Sequence, residues 1–600
     1  MKCKWIISLI ALSLIAGTCG CSPQSFNANT LIQWAESAGT GSFGAFESIS
    51  AVDGSLGSAT NTQKDAAQLE AEAELSKEIG AFEITARQRE LARENEGGYA
   101  PLDAGRGNPN WINTQARYAF SRFNEYALSE CERVMDRDNM AGQAQKDGIG
   151  SRFDTAMDPS DETDAFLIDA VRYCTGELGI DKDTLLKEWV DGIIGDYYPT
   201  PSRCLTNTEI ILNDYLQSVL YDGTDLKAQT GIFPTEGGSA AMVYIFHALN
   251  HNRLLRKGDK IAIGTPIFTP YTQIPDIMDY GLVSINVTST AEDNWDIPKE
   301  ELSKLEDPDV KAFFLVNPSN PASHALSDNT LDRLKEVVEK NPDLIILTDD
   351  VYGTFVEGFR TVYSVLPENT ILVYSFSKLY GVTGWRLGLI AMHDENVADR
   401  LLARLPEEDR EFLRGEYSIV TEDPDCLPFL DRVTADSRSI GLYHTSGLST
   451  PSQIYMDFLA LTHLVCKDDD PYIRLANDTV RKRYEALMNT LGLPIDDSNE
   501  NSRYYTLIDI DRLVTDRYGA DFTSWMWEEM TEIDFLNDLA SKKGVVLMYG
   551  PGFEAPDGTV RISLANLNTE DYVELAGRLL ELLDEYYEAY EEGAEVDPAA

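Results

Sequence analysis

From Asp222 to about Arg400, short apolar runs alternate with segments of helical periodicity. The runs are Lys260–Ile263, Leu282–Val287, Ala312–Val316, Leu344–Thr348 and Ile371–Tyr374. A strand buried on one face alternates apolar and polar residues, so these nearly unbroken runs predict strands covered on both faces. Segments such as Asp328–Glu339, with apolar residues three and four apart, predict the covering helices. The order implies an α/β domain on a mostly parallel sheet.

The pattern differs on either side. Pro101 to Leu216 reads as helical, broken by glycine and proline turns, and Asp65 to Asn95 reads as helix ended by Gly97-Gly98. Ser452–Leu491 predicts a long helical stretch, and Thr569–Glu592 predicts a closing acidic helix. Between them, Tyr504–Ile510, Val545–Met548 and Val560–Ser563 predict short strands. Ser22 to Asn61, rich in Ser, Gly, Ala and Asn without periodicity, predicts a flexible spacer. No internal repeat is present.

With 600 residues, the chain exceeds one ordinary core. The 43% hydrophobic fraction excludes disorder throughout. One hundred acidic against 50 basic residues leave a formal charge of −50, which repels phosphate backbones and anionic lipid alike. Nucleic acid is therefore excluded as an expected partner.

Lys2 and Lys4 precede an apolar run, Trp5–Ala16, of signal-peptide length and too short to span a bilayer. Gly17-Thr18-Cys19-Gly20-Cys21-Ser22 resembles a bacterial lipoprotein cleavage site with Cys21 as the lipidated residue, although Thr18 stands where that pattern has an aliphatic one. The expectation is export, as a membrane-anchored lipoprotein or a periplasmic protein. Plain secretion, or an N-terminal extension on a cytoplasmic protein, are the alternatives. Cys131, Cys174, Cys204, Cys426 and Cys466 show no Cys-x-x-Cys spacing, and no disulfide framework is expected. His247 and His251, four apart, lack a third ligand, so no metal is expected.

The chemically informative segment is Tyr374-Ser375-Phe376-Ser377-Lys378-Leu379-Tyr380-Gly381-Val382-Thr383-Gly384-Trp385-Arg386-Leu387-Gly388, directly after a strand. A lysine amine can form an imine with an aldehyde and afterwards move protons, while hydroxyls and a guanidinium can hold a phosphate dianion. The segment resembles the Schiff-base segment of pyridoxal-phosphate enzymes of the aspartate aminotransferase fold, fold type I. Upstream pieces follow in the family's order. In Leu347-Thr348-Asp349-Asp350-Val351-Tyr352, the resemblance gives Asp349 the pyridine nitrogen and Tyr352 the ring oxygen. Asp350 competes with Asp349 but lacks the family's spacing to Tyr352. Asn317-Pro318-Ser319-Asn320-Pro321 supplies Asn320 as a second ring-oxygen partner. Thr235-Glu236-Gly237-Gly238-Ser239 opens an apolar helix whose N–H groups can cradle phosphate, and Phe268 sits where the family stacks an aromatic on the ring. Ser375, Ser377, Arg386 and Tyr198, with Tyr197 as its competitor, complete the implied cofactor set.

On the substrate side, Val560-Arg561-Ile562-Ser563 resembles the strand whose arginine clamps an α-carboxylate as a fork. Ala104-Gly105-Arg106-Gly107-Asn108-Pro109-Asn110-Trp111, with the Asn320 and Asp349 motifs, resembles the aspartate 4-decarboxylase group, bifunctional with aspartate aminotransferase, over roughly Leu75 to Glu592. Arg106 is distinctive: ordinary aminotransferases have no cation there. One departure is Phe82-Glu83-Ile84-Thr85, where the group reads Phe-Glu-Leu-Lys.

The resemblance implies a mostly parallel seven-stranded sheet in a large domain and a smaller α+β domain from the N- and C-terminal segments. The boundaries expected are 1–21 signal peptide, 22–64 linker, 65–215 helical segment with dimer contacts, 216–450 large cofactor domain, 451–592 small domain and 593–600 tail. The implied cofactor is pyridoxal 5'-phosphate. The implied reaction is loss of the β-carboxylate of L-aspartate to give L-alanine and CO2, with side transamination to a 2-oxo acid. Lys378, Tyr352 and Arg106 would be catalytic; Arg561, Arg106, Gly107 and Asn320 would hold substrate. The resemblance implies a homodimer or larger assembly. A plain aminotransferase and an exported non-catalytic binding lipoprotein are the rival readings.

Overall fold

The computed structural model describes residues 81–198, 201–277, 280–440 and 447–593. Cys21, the apolar run before it and the spacer lie outside these residues. The first described strand, β1 (Leu102–Asp103), follows a helix at Ala81–Arg93. The main sheet is made of β2 (Thr230–Thr235), β3 (Lys260–Thr265), β4 (Val283–Thr288), β5 (Val310–Val316), β6 (Ile345–Asp349), β7 (Thr370–Ser375) and β8 (Gly388–His393). Its seven strands run in the order β2-β8-β7-β6-β5-β3-β4, and only β8 is antiparallel to its neighbours.

The apolar runs are explained by burial on both faces. Along β5, Ala312, Phe314 and Val316 join the core on one side, while Phe313 and Leu315 join the core on the other. Successive side chains of a strand point to opposite faces, so a strand covered twice has no place for a polar position. The helix Asp328–Lys340 covers the second face, and Ser327 caps it by accepting the Thr330 N–H.

The small domain is a three-stranded antiparallel sheet in the order β11-β12-β9, where β9 is Tyr505–Asp509, β11 Met548–Tyr549 and β12 Thr559–Ser563. A short β10 (Val545–Val546) pairs in parallel with β1, Leu102 opposite Val545. The N-terminal segment thus docks on the C-terminal one, and Ser563 N–H donates to Ala104 O. Packed there are the helices Pro471–Leu491, Ile510–Tyr518, Ala520–Glu529, Glu532–Lys543 and Thr569–Glu592.

Two expected elements differ. The stretch Ser452–Leu491 is two helices, Thr450–Leu464 and Pro471–Leu491. Asp470 caps the second by accepting the Tyr472 and Ile473 N–H groups, and Pro471 cannot donate backward into a continuing helix. Val545–Met548 is two short strands with different partners.

Among the described residues no helix is long and apolar enough to cross a membrane. His251 Nδ1 lies 3.0 Å from Asp436 Oδ1.

Candidate active site

Strands β2, β3, β5, β6 and β7 all end on one side of the sheet, where open α/β folds place ligands. The residues just beyond those ends meet the β9 and β12 side of the small domain around a cavity of about 580 Å³. The sheet contributes Gly238, Ser239, Phe268, Asn320, Asp349 and Tyr352, then Ser375, Ser377, Lys378 and Arg386. The opposite wall carries Arg106, Gly107 and Arg561. Gly237 stands directly behind this lining.

One end of the cavity is built for an anion. The helix Gly238–His251 points its N-terminus into it, so unpaired N–H groups and the helix dipole face the space. Gly237 has φ +90°, and a Cβ there would lie 2.5 Å from Arg386 Nη2. The missing side chain lets the guanidinium close over the helix start. Gly388 faces Thr235 across β2 and β8, and a Cβ on it would come within 2.6 Å of the Gly237 carbonyl carbon. Ser375 Oγ donates to the Leu387 carbonyl at 3.0 Å and lies 3.0 Å from Ser377 Oγ.

At the other end Asp349, the last residue of β6, is buried. Tyr271 donates to its Oδ2 at 2.5 Å, and the Val351 N–H donates to Oδ1 at 3.3 Å. Burial raises its carboxyl to about 6, the two hydrogen bonds and Lys378 pulling the other way. Among the described residues no lysine or arginine is ion-paired with it. A buried carboxylate without a cation suits a protonated ring nitrogen. Asp350 does not line the cavity. It accepts from the Thr348 hydroxyl, and desolvation pushes its carboxyl up to about 8.

Lys378 Nζ donates to the Gly107 carbonyl at 2.9 Å, which also accepts from Tyr504 at 2.9 Å. Tyr352 and Tyr505 hydroxyls are 3.0 Å apart. Arg561 is buried, and that burial lowers its pKa from the ordinary value. It donates to Asn320 Oδ1 at 3.1 Å and to Gly105 O at 2.8 Å, and its guanidinium lies 4.3 Å from the Tyr505 ring centre. Its Nε is buried without a partner, so this fork has donor capacity left for a carboxylate.

Arg106 is on the cavity wall with its side chain 54% exposed. Its Nε lies 3.1 Å from Asp103 Oδ2, which also accepts from Arg89 Nε at 2.7 Å. Gly105 N–H donates to Asp103 Oδ1 at 3.0 Å. Thr85, at the position of the departure, bonds its own helix through Ala81 O at 2.7 Å. One turn later on that helix, Arg89 brings a cation to Asp103.

Tyr198 is one expected site residue that this chain does not bring to the cavity of Lys378. It is 66% exposed and lines a separate cavity of about 560 Å³ with Tyr197, Arg203 and Phe233. Gly195, left-handed at φ 66°, ends the helix Lys182–Ile194 just before Tyr197 and Tyr198. Neither Tyr197 nor Tyr198 belongs to that cavity's lining.

Sequence reasoning assigned no site role to Phe82, Tyr271 or Tyr505, all in the lining, nor to the Arg89–Asp103 pair. Phe82 packs edge-on to Phe268, ring centres 5.8 Å apart at 88°. Tyr271 had one usable signal, its place one helical turn after Phe268.

A family model described as aminotransferase class I and II matches residues 209–411. A bifunctional aspartate aminotransferase and L-aspartate beta-decarboxylase of Pseudomonas sp is 42% identical over 494 residues, covering 82% of this chain and 93% of that protein. A probable aspartate/prephenate aminotransferase of Rhizobium leguminosarum bv. phaseoli is 33% identical over 176 residues, 28% of this chain and 42% of that protein. Among solved structures, the aspartate aminotransferase of Rhizobium meliloti superposes with TM-score 0.54 at 18% identity, covering 84% of this chain and 96% of that one. A single mutant of Thermus thermophilus aspartate aminotransferase gives TM-score 0.54 at 17% identity over 84% and 96%. These two show the shared fold.

Proposed function

The chain belongs to the bifunctional aspartate aminotransferase and L-aspartate beta-decarboxylase family, and we propose that it removes the β-carboxylate of L-aspartate to yield L-alanine and CO2, with transamination as a side activity. It is a pyridoxal-phosphate-dependent enzyme of the aspartate aminotransferase fold.

The residues fit that cofactor. A phosphate suits the Gly238 helix start with Ser239, Ser375, Ser377 and Arg386 around it, where Gly237 leaves room for the guanidinium. Phe268 would stack on the ring, Asp349 would pair with its protonated nitrogen, and Tyr352 and Asn320 would donate to its oxygen. Bound there, pyridoxal phosphate supplies an electron-withdrawing ring conjugated to the substrate amine. The chain supplies the rest. Arg561 fixes the α-carboxylate, and Lys378 removes and returns the proton at Cα. The β-carboxylate leaves as CO2 and its bonding pair remains on the substrate, so Cβ must gain a proton.

The observation that carries the reading is the pair of guanidinium groups on one wall: Arg561 buried, and Arg106 at the mouth, oriented by Asp103. Two cations answer the two carboxylates of aspartate, and Arg106 governs whether the adduct decarboxylates or hydrolyses. The test is incubation of the cofactor-loaded protein with L-aspartate and no oxo acid. Sustained alanine formation supports the proposal; one equivalent of oxaloacetate and then arrest marks a plain aminotransferase.

Two parts of the reading concern the whole cell and the assembly. Lys2, Lys4, the Trp5–Ala16 run and Cys21 support export with a lipid anchor. Detection of the yellow protein in the membrane fraction would support it, and detection in the cytosol would refute it. The exposed Tyr198, outside its own chain's cavity lining, suits donation to the phosphate of a second copy in a dimer. Sedimentation and cofactor affinity of Tyr198→Phe test that.

A further inference from the structure

We propose that the Tyr505 hydroxyl delivers the proton that Cβ of the substrate takes up as its carboxylate leaves, a role that rests on the decarboxylase reading above. The need for such an acid is chemical. CO2 departs neutral, its former bonding pair stays on the substrate, and that pair must end as a new C–H bond at Cβ. Lys378 is engaged with the proton of Cα, which alanine needs back.

Among the acids lining the cavity, others have prior duties. Tyr271 is committed to Asp349 at 2.5 Å. Tyr352 serves the ring oxygen. Ser375 donates to Leu387 O, and an aliphatic hydroxyl is in any case a poor acid. Tyr505 shares a 3.0 Å hydrogen bond with the Tyr352 hydroxyl but has no cofactor group to hold. It is buried, its N–H is held by Ser323 Oγ at 2.8 Å, and its ring lies against the Arg561 guanidinium. The hydroxyl points to the reacting end of the cavity: a Cβ on Gly107 would lie 2.2 Å from it and 3.3 Å from Lys378 Nζ. Glycine at 107 keeps that space open between the two groups.

The surroundings suit a phenol that gives up its proton and recovers it. Burial opposes ionisation, but Lys378 and Arg561 outweigh it together with the hydrogen bonds to Tyr352 and Lys378, and hold the phenol below its ordinary value. The groups facing it are Lys378 after β7, Arg561 on β12, Tyr352 after β6 and the neighbouring Tyr504. After transfer the phenolate sits beside the Arg561 guanidinium and the Lys378 amine. A proton from bulk solvent restores it, so one proton is consumed for each CO2 released.

Tyr505→Phe keeps the ring on Arg561 and removes only the acid. Alanine formation should fall about 100-fold, and by much more than half-transamination of aspartate. Aspartate carrying a chiral deuterium label at Cβ, turned over in tritiated water, should give a methyl group of one handedness with the parent and a racemised one with the variant. An ultraviolet difference titration of the two proteins should show a phenol that ionises below the ordinary range in the parent only. Unchanged alanine formation, equal loss of both activities, retained methyl handedness or no such phenol each overturns the inference while the decarboxylase reading stands. A parent that forms no alanine overturns the reading and the inference with it.

Discussion

Tyr271 donates a 2.5 Å hydrogen bond to Asp349 Oδ2, joining the helix after β3 to the end of β6 inside the cavity. The bond stabilises the charged carboxylate against the desolvation that lifts it to about 6. Tyr271→Phe removes a stabiliser of the ionised form, so the Asp349 carboxyl moves higher still. A hydrogen bond to a charged group is worth about 1.5–3 kcal/mol, which corresponds to roughly 10- to 100-fold weaker cofactor retention. The acid limb of the pH–rate profile should move to higher pH, and equilibrium dialysis of pyridoxal phosphate should show the loss.

Asp349 and Asp350, adjacent in sequence, should behave oppositely. Asp349→Asn removes the partner of the ring nitrogen and should abolish turnover. Asp350→Asn should retain it, since Asp350 lies outside the cavity lining. Burial raises the Asp350 carboxyl to about 8, so the folded state holds a proton that the unfolded chain releases near its ordinary carboxyl value. The associated stability is complete below that ordinary value and is lost as pH rises toward about 8. Urea unfolding across this window should show a decline in the parent that is smaller in Asp350→Asn.

Arg561 loses more than charge when it is changed. Truncating one member of a buried, hydrogen-bonded ion pair costs about 2–5 kcal/mol, so Arg561→Ala should raise KM for aspartate about 30-fold or more. Arg561→Lys should recover little of this, because a point charge does not reproduce the fork. Competitive inhibition by alanine should weaken in parallel, since both ligands present the same α-carboxylate.

Arg106 is half exposed, and an ion pair of that kind contributes about 0–1 kcal/mol to folding. Arg106→Ala should therefore melt nearly with the parent while the ratio of alanine to oxaloacetate changes. Asp103→Asn, which leaves Arg106 in place without its anchor, should shift the ratio in the same direction by less. A ratio constant in both variants would make Arg106 a structural residue.

Much of the site was legible because its chemistry sits in local order. Asp349 and Tyr352, or Lys378 and Arg386, carry their spacing within one loop. Tyr271 and Asp349 are 78 residues apart, and Tyr352 and Tyr505 are 153 apart, so no window along the chain holds both partners. Tyr505 also lies in a run that reads as an ordinary apolar strand. In the fold, β2 was hidden by Gly231 and Pro234, which its edge position tolerates. The helices of 510–543 were hidden because one residue, Gly519, and then Met530 and Thr531 separate them. Each break resets the phase of the apolar pattern before a full period accumulates.

The central claim is that carbon 4 of aspartate, and not carbon 1, leaves as CO2. The direct measurement uses two samples of L-aspartate, labelled at C4 or at C1, given to the cofactor-loaded protein without an oxo acid. The account predicts release of the C4 label as CO2 and retention of the C1 label in alanine, with neither product from Lys378→Ala. Release of the C1 label, or retention of both labels in aspartate and oxaloacetate, would contradict it.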